Sequence, residues 1–227
     1  MGKIMEAAFC IAYLLVTGAL GAIMLRTGKE NKQRLRFGIL TLVLVGGDAF
    51  HLVPRIYGAI TGTPDLYAAL GFGTFVTSVT MTAFYVLLWE FWQKRDKQRG
   101  MASIIVYAAA ACRIALCLFP QNDWFSPNAP LSWGIYRNIP FVILGGIITW
   151  RLFMERSADE HFKYAWLAVT LSFLFYIPVV LFANAVPITG MLMIPKTACY
   201  VWLVVMGYRA TKQSKGQSEI LTVPDYR

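Results

Sequence analysis

The stretch FGILTLVLVGGDAFHLVPRIYGAI, residues 37–60, has the length and composition of a membrane-spanning helix, yet it contains three ionisable side chains. A helix needs about 20 apolar residues to cross a hydrocarbon core of roughly 30 Å, and this stretch exceeds that length. The intervals between Asp48, His51 and Arg55 are three and four positions, which predicts that they share one helix face. Ionisable residues at membrane depth normally face the interior of a helix bundle. The stretch therefore predicts a polar wall inside a membrane protein.

The composition of the whole chain supports this class. Of its 227 residues, 57% are apolar and only 15% are charged, whereas soluble proteins have about 25% charged residues. The mean hydropathy is +0.54. We expect an all-α integral membrane protein with one seven-helix domain, residues 1–208, and a polar tail, residues 209–227. The expected transmembrane segments are 6–25, 37–60, 66–90, 101–119, 131–150, 164–184 and 187–208.

The net charge of +9 is distributed in a way that predicts the orientation rather than a nucleic-acid partner. Sixteen of the 21 basic residues follow segments one, three, five and seven, and the positive-inside rule makes that side cytoplasmic. The N-terminus is then outside and the C-terminus inside, most simply in the plasma membrane. These basic residues are Arg26, Lys29, Lys32, Arg34, Arg36, Lys94, Arg95, Lys97, Arg99, Arg151, Arg156, Lys163, Arg209, Lys212, Lys215 and Arg227.

Four further basic residues lie within the expected spans. At about 1.5 Å per residue, Asp48 and Lys196 lie near the middle of the membrane, and the other embedded cations lie between the middle and the outer face. Such charges cost from ~3 to over ~10 kcal/mol on an isolated helix, so they are expected to face one another or a cavity. We expect a ligand-binding site made by Asp48, His51, Arg55, Arg113, Tyr136, Arg137, Asn138 and Lys196.

The charges expected at this site do not balance. Arg55, Arg113, Arg137 and Lys196 face a single embedded carboxylate, Asp48, so one ion pair leaves an excess near three positive charges. Water, a neutral Lys196 or an anion entering from outside would compensate for the excess, since unpaired buried charge is unfavourable. The expected ligand is a small anionic or zwitterionic solute, because arginine donates hydrogen bonds to carboxylates and phosphates. No cofactor is expected, and only one of two histidines is embedded, which argues against a metal site.

Two short sequences suggest an internal repeat. Thr82-Ala83-x-Tyr85-Val86 in segment three matches Thr197-Ala198-x-Tyr200-Val201 in segment seven. Segments 1–3 would then correspond to segments 5–7, with segment four as a linker that restores the orientation. This 3+1+3 plan resembles the PQ-loop/SWEET-type seven-helix transporters and, more remotely, the opsin-like proteins. The transporter resemblance implies alternating access with hinges at the helix prolines Pro54, Pro140 and Pro178.

Two other functional classes remain open. An intramembrane enzyme acting on a lipid or phosphate-bearing substrate would use Asp48 and His51 as an acid–base pair. A seven-helix ligand sensor is the third possibility, since Lys196 lies midway along the last helix, as the retinal lysine does in the opsin-like proteins. An opsin-like carboxylate is missing from the middle of segment three, which Asp65 and Glu90 bracket, so Asp48 would have to be the counterion.

Overall fold

The structure is a computed structural model that describes residues 2–63, 66–96, 100–183 and 185–220. Seven helices of this part are long and apolar enough to cross a membrane, which confirms the expected all-helical membrane protein. Asp65, Lys97, Arg99 and Arg227 lie outside the described residues. The helices are α1 (Gly2–Thr27), α2 (Lys32–Thr61), α3 (Tyr67–Asp96), α4 (Met101–Leu118), α5 (Leu131–Met154), α6 (Ala165–Phe182) and α7 (Met193–Ile220).

The helices form a closed ring in which each helix packs against the next and α1 packs against α7. Contacts of α2 with α7 and of α3 with α5 cross the ring. Consecutive helices run in opposite directions, so the bundle has two distinct ends. The end with the 28–31 and 155–164 connections is called the basic end. The opposite end contains the start of α1, the 119–130 connection and the 3-10 helix Pro187–Leu192.

Several helix boundaries differ from those expected; α3, for example, ends at Asp96 rather than at residue 90. α2 begins five residues early, at Lys32, because the Asn31 side chain caps it by accepting hydrogen bonds from the backbone N–H groups of Gln33 and Arg34. The last segment begins as a 3-10 helix at Pro187, and α7 then continues to Ile220, past the expected boundary at residue 208. Much of the expected polar tail is therefore helical.

The outer surface of the bundle is apolar, as contact with a lipid bilayer requires. Large apolar side chains such as Val53 (54% exposed) on α2 and Leu174 (59% exposed) on α6 point away from the bundle. The buried core includes a cluster of aromatic residues near the basic end. There, Phe162 packs against Trp92 with ring centroids 5.0 Å apart, and Phe37 packs against Phe91 at 5.2 Å.

Glycines bring α2 and α3 into close contact beside the expected site. A Cβ atom at Gly73 of α3 would lie 2.6 Å from the Cα atom of His51, and one at Gly47 of α2 would overlap the Thr80 side chain. Small residues at membrane-helix crossings allow this approach of two backbones. The Thr77 hydroxyl also donates to the Gly47 carbonyl oxygen at 3.0 Å. The α2–α3 crossing therefore fixes the position of the ionisable stretch of α2.

Candidate functional site

Asp48 lies inside the bundle near the middle of α2, with a hydrogen-bond donor from α1. The hydroxyl group of Tyr13, which is 3% exposed, donates to Asp48 Oδ2 at 2.7 Å. Lys196 of α7 interacts electrostatically with the same carboxylate, but among the described residues the two do not form an ion pair within 4.0 Å. Asp48 therefore keeps acceptor capacity that a ligand ammonium or hydroxyl group can use.

Arg55 lies two turns further along α2, toward the opposite end of the bundle, where a carboxylate neutralises its charge. Its guanidinium forms an ion pair with Glu6 of α1, and both side chains are only partly exposed. The Arg55 Nη2 atom also approaches Gly190, because a Cβ atom there would lie 4.0 Å away. The Arg55–Glu6 pair and the Pro187–Leu192 helix thus stand between Asp48 and the opposite end.

His51 faces α3 rather than the Asp48 carboxylate. Its Nδ1 atom lies 3.2 Å from Thr74 Oγ1 and 3.4 Å from the Leu70 carbonyl oxygen, with donor and acceptor roles that depend on the tautomer. Asp48 accepts its hydrogen bond from α1, whereas the partners of His51 are on α3. The two side chains, which were expected to share one face of α2, therefore contact two different helices. Within the described residues, no hydrogen bond joins Asp48 to His51.

Arg113 of α4 is the largest fully buried side chain among the described residues, with 2% of its surface exposed. Its Cζ atom lies 3.3 Å above the centre of the Phe141 ring, a cation–π arrangement. The Nε and Nη1 atoms have no hydrogen-bond partner among the described residues. A buried guanidinium with unpaired N–H groups is a costly arrangement that an anionic ligand would relieve.

Arg137 of α5 is bound by neutral groups from the 119–130 connection. Its Nη1 atom donates to Asn122 Oδ1 at 2.9 Å, and its Cζ atom lies 4.3 Å from the centre of the Trp124 ring. Asn122 is 1% exposed and is fixed by its own donation to the carbonyl oxygens of Leu116 and Phe119. The connection is therefore anchored to the site.

Asn138 and Tyr136 of α5 have different surroundings. Asn138 is buried, and its Oδ1 atom accepts a hydrogen bond of 3.0 Å from the Tyr176 hydroxyl of α6. Tyr136 is 51% exposed and packs edge-on against Trp133. The structure thus connects Asn138 to the interior and places Tyr136 on the outer surface of the bundle.

Lys196 lies among tyrosine rings, and no carboxylate of the described residues forms an ion pair with it within 4.0 Å. The side chain is 6% exposed, with Nζ 4.7 Å from the centre of the Tyr176 ring and 5.5 Å from that of Tyr200. Tyr176 and Tyr200 are also electrostatic neighbours of Arg113. The Tyr200 hydroxyl lies 3.2 Å from that of Tyr85, so the two halves of the suggested repeat meet in the core.

The structure thus brings two cations, Arg113 and Lys196, near the same pair of tyrosines, and neither forms an ion pair within 4.0 Å among the described residues. It also reveals partners that sequence reasoning missed, above all Glu6 and Tyr13 on α1. The signal for α1 was a carboxylate and a phenol seven positions apart in an otherwise apolar helix, which places them on one helix face. With Glu6 included, the site has four embedded cations and two carboxylates, so the excess is two positive charges if all groups are ionised.

No protein-family model, no curated protein and no solved structure matches this chain. The function of the protein is therefore inferred from the geometry of the site.

Proposed function

We propose that the protein is a membrane transporter or binding protein for a small anionic or zwitterionic solute. The observation that carries the proposal is the buried Arg113 guanidinium, whose Nε and Nη1 groups lack partners among the described residues. Lys196 adds a second positive charge next to the same tyrosines. An acidic group bound between these cations would receive charge-assisted hydrogen bonds and would offset their desolvation.

The proposal extends to zwitterions because Asp48 interacts electrostatically with Lys196. Its carboxylate accepts one hydrogen bond, from Tyr13. An acidic ligand group would bind near Lys196 and Arg113, while an amino group would bind to Asp48. The three side chains come from α2, α4 and α7, so such a ligand would hold different parts of the ring together.

In the proposed orientation, the basic end is cytoplasmic and the N-terminus is outside, according to the positive-inside rule. The Arg55–Glu6 pair then lies on the outer side of Asp48 and closes the site toward the outside. An outward-facing cavity, in the plasma membrane, would form when this pair opens. Transport would use an internal 3+1+3 repeat with proline hinges. The contact between Tyr85 and Tyr200 supports the repeat, since these residues occupy matching positions in the two similar sequences.

The other two functional classes have less support. An acid–base enzyme requires Asp48 and His51 to act on one substrate, whereas their side chains are bound from different neighbouring helices. A retinal-type sensor requires a carboxylate paired with Lys196, whereas among the described residues Asp48 forms no ion pair with it within 4.0 Å and the lysine lies against tyrosine rings.

Ligand-dependent thermal stability of the purified protein tests the proposal. Carboxylates, phosphates, nucleotides and amino acids are screened against the wild type, Arg113→Gln, Lys196→Met and, as a control, the exposed Lys32→Gln at the basic end. We expect one class of anion to raise the melting temperature of the wild type and the control saturably, and not that of the other two variants. If all four proteins respond equally, or none responds, the proposed binding site is wrong.

A further inference from the structure

Two neighbouring apolar cavities between α5 and α6 share part of their lining, and together they are called the groove. Their volumes are about 280 and 410 Å³, and both are lined by Val142 and Ile177. Their linings extend along α5 from Ile135 to Phe153, which corresponds to about 27 Å of helix. The groove is therefore almost as long as the hydrocarbon core is thick.

The cavity nearer the opposite end has only two polar side chains in its lining, Asn138 and Tyr176. These are the residues that the Tyr176–Asn138 hydrogen bond joins. The Nζ atom of Lys196 lies 4.7 Å from the centre of the Tyr176 ring. Tyr176 also interacts electrostatically with Arg113. The apolar groove and the cationic site thus meet at this pair of side chains.

Because Asn138 and Tyr176 line the groove and Tyr176 also neighbours the cations, the groove combines an apolar surface with nearby positive charge. The groove faces the acyl chains of the bilayer, and this pair of lining residues lies next to Arg113 and Lys196. In the described part of the chain, neither cation forms an ion pair within 4.0 Å. A ligand that fits both the apolar groove and the cations has one long apolar chain and an acidic head group. Its head group must pass between side chains that are joined by a single hydrogen bond, and a planar carboxylate is the smallest acid that fits this description.

We propose that the anion bound at Arg113 and Lys196 is a long-chain carboxylate, which enters from the membrane between α5 and α6 and keeps its chain in the groove. This inference rests on the proposed anion site and specifies its ligand. Entry requires the Tyr176–Asn138 hydrogen bond to open. The helix prolines Pro140 and Pro178 lie next to this pair and leave nearby carbonyl groups without helical donors, which permits local movement of both helices.

Acetate, octanoate and palmitate distinguish this inference from the proposed function. The full-length protein is studied in nanodiscs, with empty nanodiscs as the correction for partitioning. Binding is measured by displacement of spin-labelled stearate, and by the melting temperature. We expect affinity to increase at least about tenfold from octanoate to palmitate, because more apolar surface is buried with each added methylene.

A matched pair of variants tests the groove itself. Val142→Trp fills the groove where the two cavities join, and Val53→Trp places the same bulk on the lipid-facing surface of α2. We expect Val142→Trp to weaken palmitate binding about tenfold without changing the response to acetate, and Val53→Trp to change neither. Arg113→Gln should abolish both responses.

The opposite outcomes separate the two proposals. Equal affinity for acetate, octanoate and palmitate, or equal palmitate binding by the two tryptophan variants, would overturn the groove proposal and leave the small-anion site in place. Tighter binding of a single-chain phosphate ester than of palmitate would overturn the carboxylate assignment. If no anion of any chain length binds to the wild type, both the groove proposal and the proposed function are wrong.

Discussion

Arg113 illustrates the conflict between stability and ligand binding at a single residue. Its guanidinium is buried against Phe141, and two of its nitrogen atoms have no partner among the described residues. Replacing a buried charge by a well-packed apolar side chain is often neutral or stabilising. If Arg113 serves ligand binding and not stability, replacing it does not destabilise the unliganded protein.

The substitution Arg113→Leu makes this explicit. We expect the unliganded variant to be as stable as the wild type or more stable, by up to about 3 kcal/mol, and to lose all stabilisation by anions. Thermal unfolding in detergent with and without the anion measures both effects. A strongly destabilised variant would show that Arg113 is part of a structural network instead.

Tyr13 is predicted to matter for stability through one hydrogen bond. Tyr13→Phe removes the donor to Asp48 and leaves a buried acceptor unsatisfied, which costs about 1–3 kcal/mol. The matched control is Tyr136→Phe, since Tyr136 is 51% exposed on the surface of the bundle. Thermal unfolding of both variants checks the prediction, and equal melting temperatures would contradict it.

At the scale of the elements, the crossing of α2 and α3 is the tightest constraint on the site. The Gly73 backbone lies against those of Phe50 and His51, so a methyl group there would separate the two helices. Asp48 and His51 would move with α2. The crossing therefore links packing between two helices to the geometry of the ionisable residues.

Gly73→Ala tests this link against another helical glycine. We expect a loss of about 1–3 kcal/mol from overpacking, together with weaker anion binding. Gly46→Ala is the control, because a Cβ atom at Gly46 meets no other atom within 4 Å, and it should be neutral or stabilising by up to about 1 kcal/mol. Equal melting temperatures for the two variants would show that the crossing has room to adjust.

The sequence predicted the helices well and their partners poorly. Hydrophobic length alone located all seven spans, because a membrane helix must satisfy its own backbone hydrogen bonds. Periodicity indicated which residues of α2 could share a face, but the rotation of a helix among its neighbours depends on packing that a single sequence does not display. Asp48 and His51 consequently bond to different helices, and Arg55 pairs with Glu6, which the sequence reading left out.

For the whole molecule, the central prediction is its orientation. Single cysteines at exposed positions Lys29, in the basic end, and Asn128, in the opposite end, are introduced into a variant whose four native cysteines are replaced. We expect a membrane-impermeant maleimide to label Asn128→Cys in intact cells, and Lys29→Cys only after permeabilisation. The reverse labelling pattern would place the site toward the cytoplasm and refute an outward-facing cavity.

The aromatic cluster of Phe37, Phe91, Trp92 and Phe162 packs the basic end through several ring contacts, and we expect this end to be stiffer than the opposite one. Interlocked rings at the basic end resist sliding, and Gly207 of α7 fits directly against the Phe37 ring there. At the other end, the Arg55–Glu6 ion pair is partly exposed and can exchange with water. We therefore expect the helices to pivot near these rings. A small change of helix tilt at the basic end then moves the helix ends at the opposite end by a larger distance.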